Sequence, residues 1–332
     1  MDLAWLVIQF AVCALLIALA GFVLSHSADQ LADVHGWGRG WVGLAMLATV
    51  TSLPELVSGI SAVAWVEAPN LAVGDALGSC VFNLAFLVVV DALQRRQPMY
   101  AEAGTVHLLS AGFGVVMLGF VAMSLMLGSQ LPALGHVAWS SVVMVVLYVL
   151  ALSAVQRSER PVPVVGATAD PAHSDGSRQW RRFAVAALAV SAAGAWLPEV
   201  ADRLAYATGL SRSLVGTLWL ALATSLPEIA VTLASLRLGK LDLAIANLFG
   251  SNLFNVVVLS IDDAFYRKGP LMAAAAPVHV GTAVAAMTMT GLVIVGLIMR
   301  PHGRVLRAVS WISVGLMAAY AISAALVYLR GV

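Results

Sequence analysis

Along this chain, runs of some twenty apolar residues alternate with short polar breaks. A helix needs roughly 20 apolar residues to cross a bilayer. Ten stretches meet that length: 3–25, 41–66, 71–93, 104–127, 136–156, 182–203, 213–236, 242–262, 274–299 and 306–328. The most polar break, 156–182, is rich in Pro, Ser, Asp and Arg. It reads as a flexible hydrophilic linker, too short for a folded domain. The pattern therefore predicts an all-α polytopic membrane protein. A five-helix unit spans 1–156, a linker 157–181, and a second five-helix unit 182–332. No basic segment precedes the run from Leu3 to Leu24 and no small-residue cleavage site follows it. It is expected to be a retained first helix rather than a signal peptide.

Composition sharpens the class. The chain is 61% hydrophobic and 11% charged. A water-facing surface needs about 25% charged residues, whereas a lipid-facing one needs none. The lipid bilayer is thus the expected partner. A net charge of +1 points away from nucleic acid. Cys13 and Cys80 lie inside apolar runs and read as small core residues, not as a disulfide or metal site. When alternate connections are placed on opposite sides, 13 of the 18 Lys and Arg fall on the linker side. Positive charge marks the cytoplasmic side. The linker is then cytoplasmic and both termini lie outside.

The two units are copies. Thr51-Ser52-Leu53-Pro54-Glu55 returns as Thr224-Ser225-Leu226-Pro227-Glu228, and Ala28-Asp29-Gln30-Leu31-Ala32 as Ala201-Asp202-Arg203-Leu204-Ala205, each 173 residues later. At an offset of 172, Leu71, Ala72, Gly78, Ser79, Phe82, Asn83 and Asp91 meet Leu243, Ala244, Gly250, Ser251, Phe254, Asn255 and Asp263. With five spans per copy, the second copy must enter the membrane from the opposite side. The prediction is ten transmembrane helices as two inverted five-helix repeats, with a substrate site near the midplane.

The repeated residues carry a definite chemistry. Glu55 and Glu228 sit inside apolar stretches whose cores hold no Lys or Arg. A carboxylate at that depth costs several kcal/mol and is a functional candidate by default. Pro54 and Pro227 precede them; each lacks an N–H, frees a carbonyl one turn earlier and kinks the helix. That offers backbone oxygens near Ala48 to Thr51 and Ala221 to Thr224. Thr51, Ser52, Thr224 and Ser225 add hydroxyls. Asp75, Ser79 and Asn83 share one helix face, as do Asn247, Ser251 and Asn255. Carboxylate, amide, hydroxyl and carbonyl oxygens together suit a hard cation such as Ca²⁺, which takes 6–8 of them. The scattered His and Cys residues argue against a soft-metal centre. Inorganic cations are the expected partners, as transported ions rather than resident cofactors. The motifs of intramembrane metallo- and serine proteases are absent. The aspartyl type finds only a near miss in Ala72-Val73-Gly74-Asp75, so an intramembrane protease is set aside and no catalytic residue is expected.

These motifs resemble the two alpha repeats of the calcium/cation antiporter superfamily, which includes sodium/calcium exchangers. The likeness covers 28–92 and 201–264 closely. It implies that Glu55 and Glu228 are the central cation ligands, flanked by Asn83 and Asn255. Thr51 and Thr224 would join the glutamates around Ca²⁺. Thr51, Ser52, Thr224, Ser225, Ser79 and Ser251 would line the sodium positions, helped by the carbonyls of Ala48, Ala221, Thr51 and Thr224. It also implies alternating access, with the first and sixth helices sliding over the rest, and by analogy a bacterial-type plasma (inner) membrane location. The chain departs from the family pattern at Val50, Ala223, Asp75 and Asn255. Asn255 leaves two central carboxylates where some sodium/calcium members have three. The expected function is Ca²⁺ exchange for Na⁺, with H⁺ as the alternative coupling ion. Asp75 is a candidate extra carboxylate or else a residue of a watery mouth. The sequence sets no oligomeric state.

Overall fold

The computed structural model describes residues 2–34, 48–94, 97–158, 176–305 and 308–330. Its long helices are α1 (Leu3–Val34), α2 (Leu53–Ala64), α3 (Pro69–Leu93), α4 (His107–Leu127), α5 (Trp139–Ser158), α6 (Gly176–Thr208), α7 (Leu226–Arg237), α8 (Leu241–Phe265), α9 (Val278–Met299) and α10 (Trp311–Arg330). Among the described residues, eight of these are long and apolar enough to cross a membrane. A ninth span arises if Arg212–Thr224 and α7, bent by 44°, are counted as one. The expected second span, 41–66, falls partly outside the described residues. Within them, residues 48–51 are helical and lead into α2 through a break at Ser52.

Both breaks follow from the local sequence. Ser52 (φ −88°, ψ 13°) and Ser225 (φ −82°, ψ 7°) leave helical geometry immediately before a Leu-Pro pair. Proline is well tolerated in a helix's first turn, so the helix restarts there instead of continuing through. Glu55 and Glu228 thereby occupy the first turns of α2 and α7, where the helix dipole favours a negative charge. A stretch of π-helix at Val215–Leu220 precedes the second break.

The helices sort by exposure. The central pair is α3 and α8, most of whose residues are buried, whereas α1, α5 and α10 are buried along one side only. The outer faces of α1 and α5 expose Leu15, Leu16, Leu19, Val149 and Leu150. Such a continuous apolar face needs acyl chains to cover it. α1 and α6 pack along one another, α1 also meeting α7 and α6 meeting α2. Gly21 of α1 abuts Pro227, and Gly194 of α6 faces the carbonyl of Pro54 across 3.3 Å from where a Cβ would stand. A side chain at Gly21 would collide with the proline ring, so each outer helix crosses a bent helix of the other half through a glycine.

Two buried aspartates tie the halves together. Asp91, at the end of α3, accepts hydrogen bonds from Met99 N (2.8 Å), Ser310 N (2.6 Å) and Ser313 Oγ (2.7 Å). Asp263, at the end of α8, accepts from Leu271 N (2.6 Å), Ala138 N (2.8 Å) and Ser141 Oγ (2.6 Å). Each therefore caps the first turn of a helix in the opposite half, α10 and α5 respectively, satisfying donors a helix leaves free. The same exchange recurs with Asn70 Oδ1 on Ala276 N (2.7 Å) and Asp242 Oδ1 on Gly104 N (2.8 Å).

The helices overrun several predicted ends. α1 continues to Val34 and α6 begins at Gly176, inside the stretch assigned to the linker. Hydropathy marks the part of a helix in lipid; a helix that protrudes into water with polar residues is invisible to it.

Candidate functional site

The two TSLPE segments meet at the centre of the bundle, and they meet crosswise. Ser52 Oγ donates to Glu228 Oε1 (3.0 Å), and Ser225 Oγ donates to Glu55 Oε1 (3.0 Å). Ser251 Oγ adds a second donor to Glu228 Oε1 (3.3 Å). The Ser79 hydroxyl lies 3.0 Å from that of Ser225, and Thr51 Oγ1 3.4 Å from Ser251 Oγ. Each carboxylate thus rests against a hydroxyl at the bend of the other half. Each is also near enough to feel the other's charge.

All the polar candidates of the sequence are buried here. Glu55, Glu228, Asn83, Asn255, Thr51, Ser52, Thr224, Ser225, Ser79, Ser251 and Asp75 are each at most 1% exposed. The carbonyls of Ala48 and Ala221 already take donors: Ser52 N (3.1 Å) and Thr51 Oγ1 (3.1 Å) on one, and Ser225 N (3.1 Å) on the other. Close helix approach brings these parts together. A Cβ on Gly78 of α3 would stand 2.8 Å from Ala221 Cβ, and one on Gly250 of α8 would stand 3.0 Å from Ala48 Cβ.

One oxygen of each glutamate remains without a hydrogen bond, Glu55 Oε2 and Glu228 Oε2. So do Asn83 Oδ1 and Asn255 Oδ1. Buried polar groups are almost always partnered, and a ligand that needs only acceptors would satisfy these four oxygens. A dehydrated cation is such a ligand. Among the described residues, no three Asp, Glu, His or Cys side chains gather closely enough for one ion. The centre brings two carboxylates together among neutral oxygens.

Asp75 accepts from Thr224 Oγ1 (2.8 Å) and is 1% exposed, so it is no residue of a watery mouth. Two further buried polar residues were missed in the sequence. Asn252 Oδ1 accepts from Asn83 Nδ2 (3.0 Å), while its own amide donates to the carbonyl of Cys80 (3.2 Å). Asn252 stands in the Gly250-Ser251-Asn252 run of the repeat, which was its signal. Asp262 is fully buried with neither oxygen partnered. It was hidden by its place at the end of a predicted span. Asn247, on the same face as Ser251, donates towards Glu228 O and Thr232 Oγ1 at 3.4 Å.

The chain matches the family model described as "Sodium/calcium exchanger protein" twice, over residues 5–155 and 179–329. It is 26% identical over 250 residues to the inner membrane protein YrbG of Escherichia coli, covering 74% of this chain and 75% of that one. It is 28% identical over 239 residues to the "Putative antiporter CaxA" of Alkalimonas amylolytica, covering 71% and 72%. Its fold is shared with the sodium-calcium exchanger NCX_Mj, at 19% identity, with a TM-score of 0.62 over 98% of this chain and 99% of that one. The two matched segments take in nearly the whole of both halves, and the chain therefore belongs to the sodium/calcium exchanger protein family, integral membrane transporters of cations and not enzymes.

Proposed function

We propose that the protein is a secondary antiporter that exchanges Ca²⁺ for Na⁺ by alternating access at the crossed TSLPE segments. The observation that carries this is the reciprocal pair of bonds, Ser52 to Glu228 and Ser225 to Glu55, which sets two buried carboxylates together with a free oxygen on each. Glu55 and Glu228 bind the divalent ion, with Thr51 and Thr224 beside them. Asn83 and Asn255 flank it. Ser52, Ser225, Ser79 and Ser251, with the carbonyls of Ala48 and Ala221, give the sodium positions. The two halves act as inverted repeats, as the exchanged caps of Asp91 and Asp263 lead one to expect. The linker faces the cytoplasm and both termini face outward, in a bacterial-type inner membrane such as that named for YrbG.

The mechanism is one of charge. Two ionised glutamates give the empty site a charge that a low-dielectric core does not tolerate. One Ca²⁺ neutralises it, and so does a set of Na⁺ ions. Only a loaded carrier then changes access, which makes the movement an exchange. α1 and α6 slide over the bent helices at Gly21 and Gly194. Asn255 favours a second reading: with two carboxylates instead of three, two protons neutralise the site equally well, and the counter-ion is then H⁺.

The experiment is ⁴⁵Ca²⁺ uptake into proteoliposomes, driven by an outward Na⁺ gradient and separately by an outward H⁺ gradient. Uptake with Na⁺ alone is expected. Uptake with H⁺ alone would move the protein to calcium/proton exchange, and uptake with neither would exclude Ca²⁺ as the cargo.

A further inference from the structure

Several repeat-matched positions in the core differ in polarity, and two of them bear a buried carboxylate in one copy only. Asn247 corresponds to Asp75, and Val90 to Asp262. Both extra carboxylates lie on the same side of the paired glutamates. Asp75 is one turn before Ser79 on α3, towards the 65–68 end of the bundle. α8 finishes at that end, where Glu67 pairs with Lys268, and Asp262 sits in its last turn.

Asp262 is fully buried, and neither of its oxygens has a hydrogen-bond partner. Its carboxylate is directed at α2, since a Cβ on Gly59 would run into both oxygens. Gly59 lies one turn beyond Glu55. Asp262 feels the charge of Asp75, whose Oδ1 is held by Thr224 while Oδ2 has no partner. Ser58 stands beside Asp75 with its hydroxyl fully buried. Packing does not call for a carboxylate at Asp262, because a valine serves at the matching position. An unpartnered carboxylate in such surroundings is among the most costly groups a core can hold. A proton would relieve it singly, and a cation that takes several oxygens would relieve it together with Asp75.

We propose that Asp75 and Asp262, with Ser58, form a second station for the transported divalent cation, one to two turns outward of the glutamates, on the path between them and the 65–68 end. The station rests on the exchanger reading of the central site and adds to it a one-sided approach. An ion arriving from that end is dehydrated in two steps, first against Asp75 and Asp262 and then against Glu55 and Glu228. An ion arriving from the opposite end meets the Asn247 amide and Val90, where the adjacent carboxylate, Asp91, is already taken up by three donors.

Initial rates of ⁴⁵Ca²⁺ uptake against Ca²⁺ concentration, in right-side-out and inverted membrane vesicles, test this. Asp262→Asn is expected to raise the half-saturating concentration about tenfold from one side only and less than about twofold from the other. Asp262→Glu should restore it to within about threefold. Ser58→Ala removes only a hydroxyl; should Asp262→Asn not fold, it decides the matter with a shift of about twofold on the same side. No change from either side would make Asp262 a protonated packing residue and overturn the station, and equal changes from both sides would place it in the central site. Glu55→Gln in the same vesicles separates the two readings. Normal flux in that variant overturns the central site while the Asp262 contrast still reports on the station, and wild-type vesicles that carry no Ca²⁺ overturn both.

Discussion

In the first half of the chain, Asp91 gathers two backbone N–H groups and a serine hydroxyl; in the second half, Asp263 gathers the same three kinds of donor from the matching positions. Glu55 and Glu228 are matched in the same way, each receiving a serine from the other half. The halves part at Asp75 and Asn247, at Asp262 and Val90, and at Cys80 and Asn252. The difference separates two demands. Holding the bundle together is a task that both copies share, and on the proposed function so is gripping an ion in its middle. Conducting an ion to one face or the other is not shared, and there the copies have diverged.

The sharpest way to break this comparison is at the centre. Glu55→Gln and Glu228→Gln each remove one of two carboxylates and leave a side chain of the same shape. Each is expected to reduce Ca²⁺ exchange in proteoliposomes by about 100-fold or more. If one is lost without effect while the other is essential, the centre is not a joint two-carboxylate site.

The next largest effect is expected at the caps. Asp91→Ala and Asp263→Ala each strand two buried N–H donors and a hydroxyl. Hydrogen bonds to a charged group are worth about 1.5–3 kcal/mol in soluble proteins, and less in a bilayer. A loss of roughly 2–5 kcal/mol from each is the expected outcome, read as thermal unfolding in detergent. The two losses should agree closely, because the donor sets do. Unequal losses would show that the exchanged caps are not equivalent, and the inverted arrangement would lose its best support.

Much of this was legible in the sequence. Glu55 and Glu228 declare themselves because a carboxylate in an apolar run has few bland explanations and here has a duplicate. The breaks at Ser52 and Ser225 follow from the prolines two residues on. The crossing of the halves was not legible. Offsets of 172 and 173 say which residues correspond, not that Ser52 reaches Glu228 in place of Glu55. Asp262 was illegible for another reason. Adjacent to Asp263 at the end of a span, it has the sequence signature of a helix end entering water, and only packing against Gly59 reveals its depth. The outer parts of α1 and α6 escaped because residues such as Asp29, Gln30, Arg178 and Arg181 suit a helix in water as well as they suit a loop.

The smallest effect sharpens the comparison most finely. In the second half Asn252 does two things: its carbonyl oxygen accepts from Asn83 Nδ2 (3.0 Å), and its amide donates to the main-chain carbonyl of Cys80 (3.2 Å). At the matching position in the first half, Cys80 Sγ reaches the main-chain carbonyl of Asn252 at 3.7 Å, a weak imitation of the second of these. The first is echoed only in the approach of the Asn255 side chain to the Cys80 thiol, and Asn255 Nδ2, the counterpart of Asn83 Nδ2, closes no full hydrogen bond. Cys80→Asn supplies both missing bonds if the halves are related as the rest of the core implies. Its oxygen would accept from Asn255, and its amide would replace the thiol on Asn252. A neutral hydrogen bond nets about 0.5–1.5 kcal/mol, partly offset by fitting a larger side chain into a packed core. The variant should therefore unfold at the same temperature as the parent or a few degrees above it, with flux retained. A loss of stability would mean that the core of the first half has closed around the thiol, so that the correspondence between the halves at this depth is one of sequence and no longer of structure.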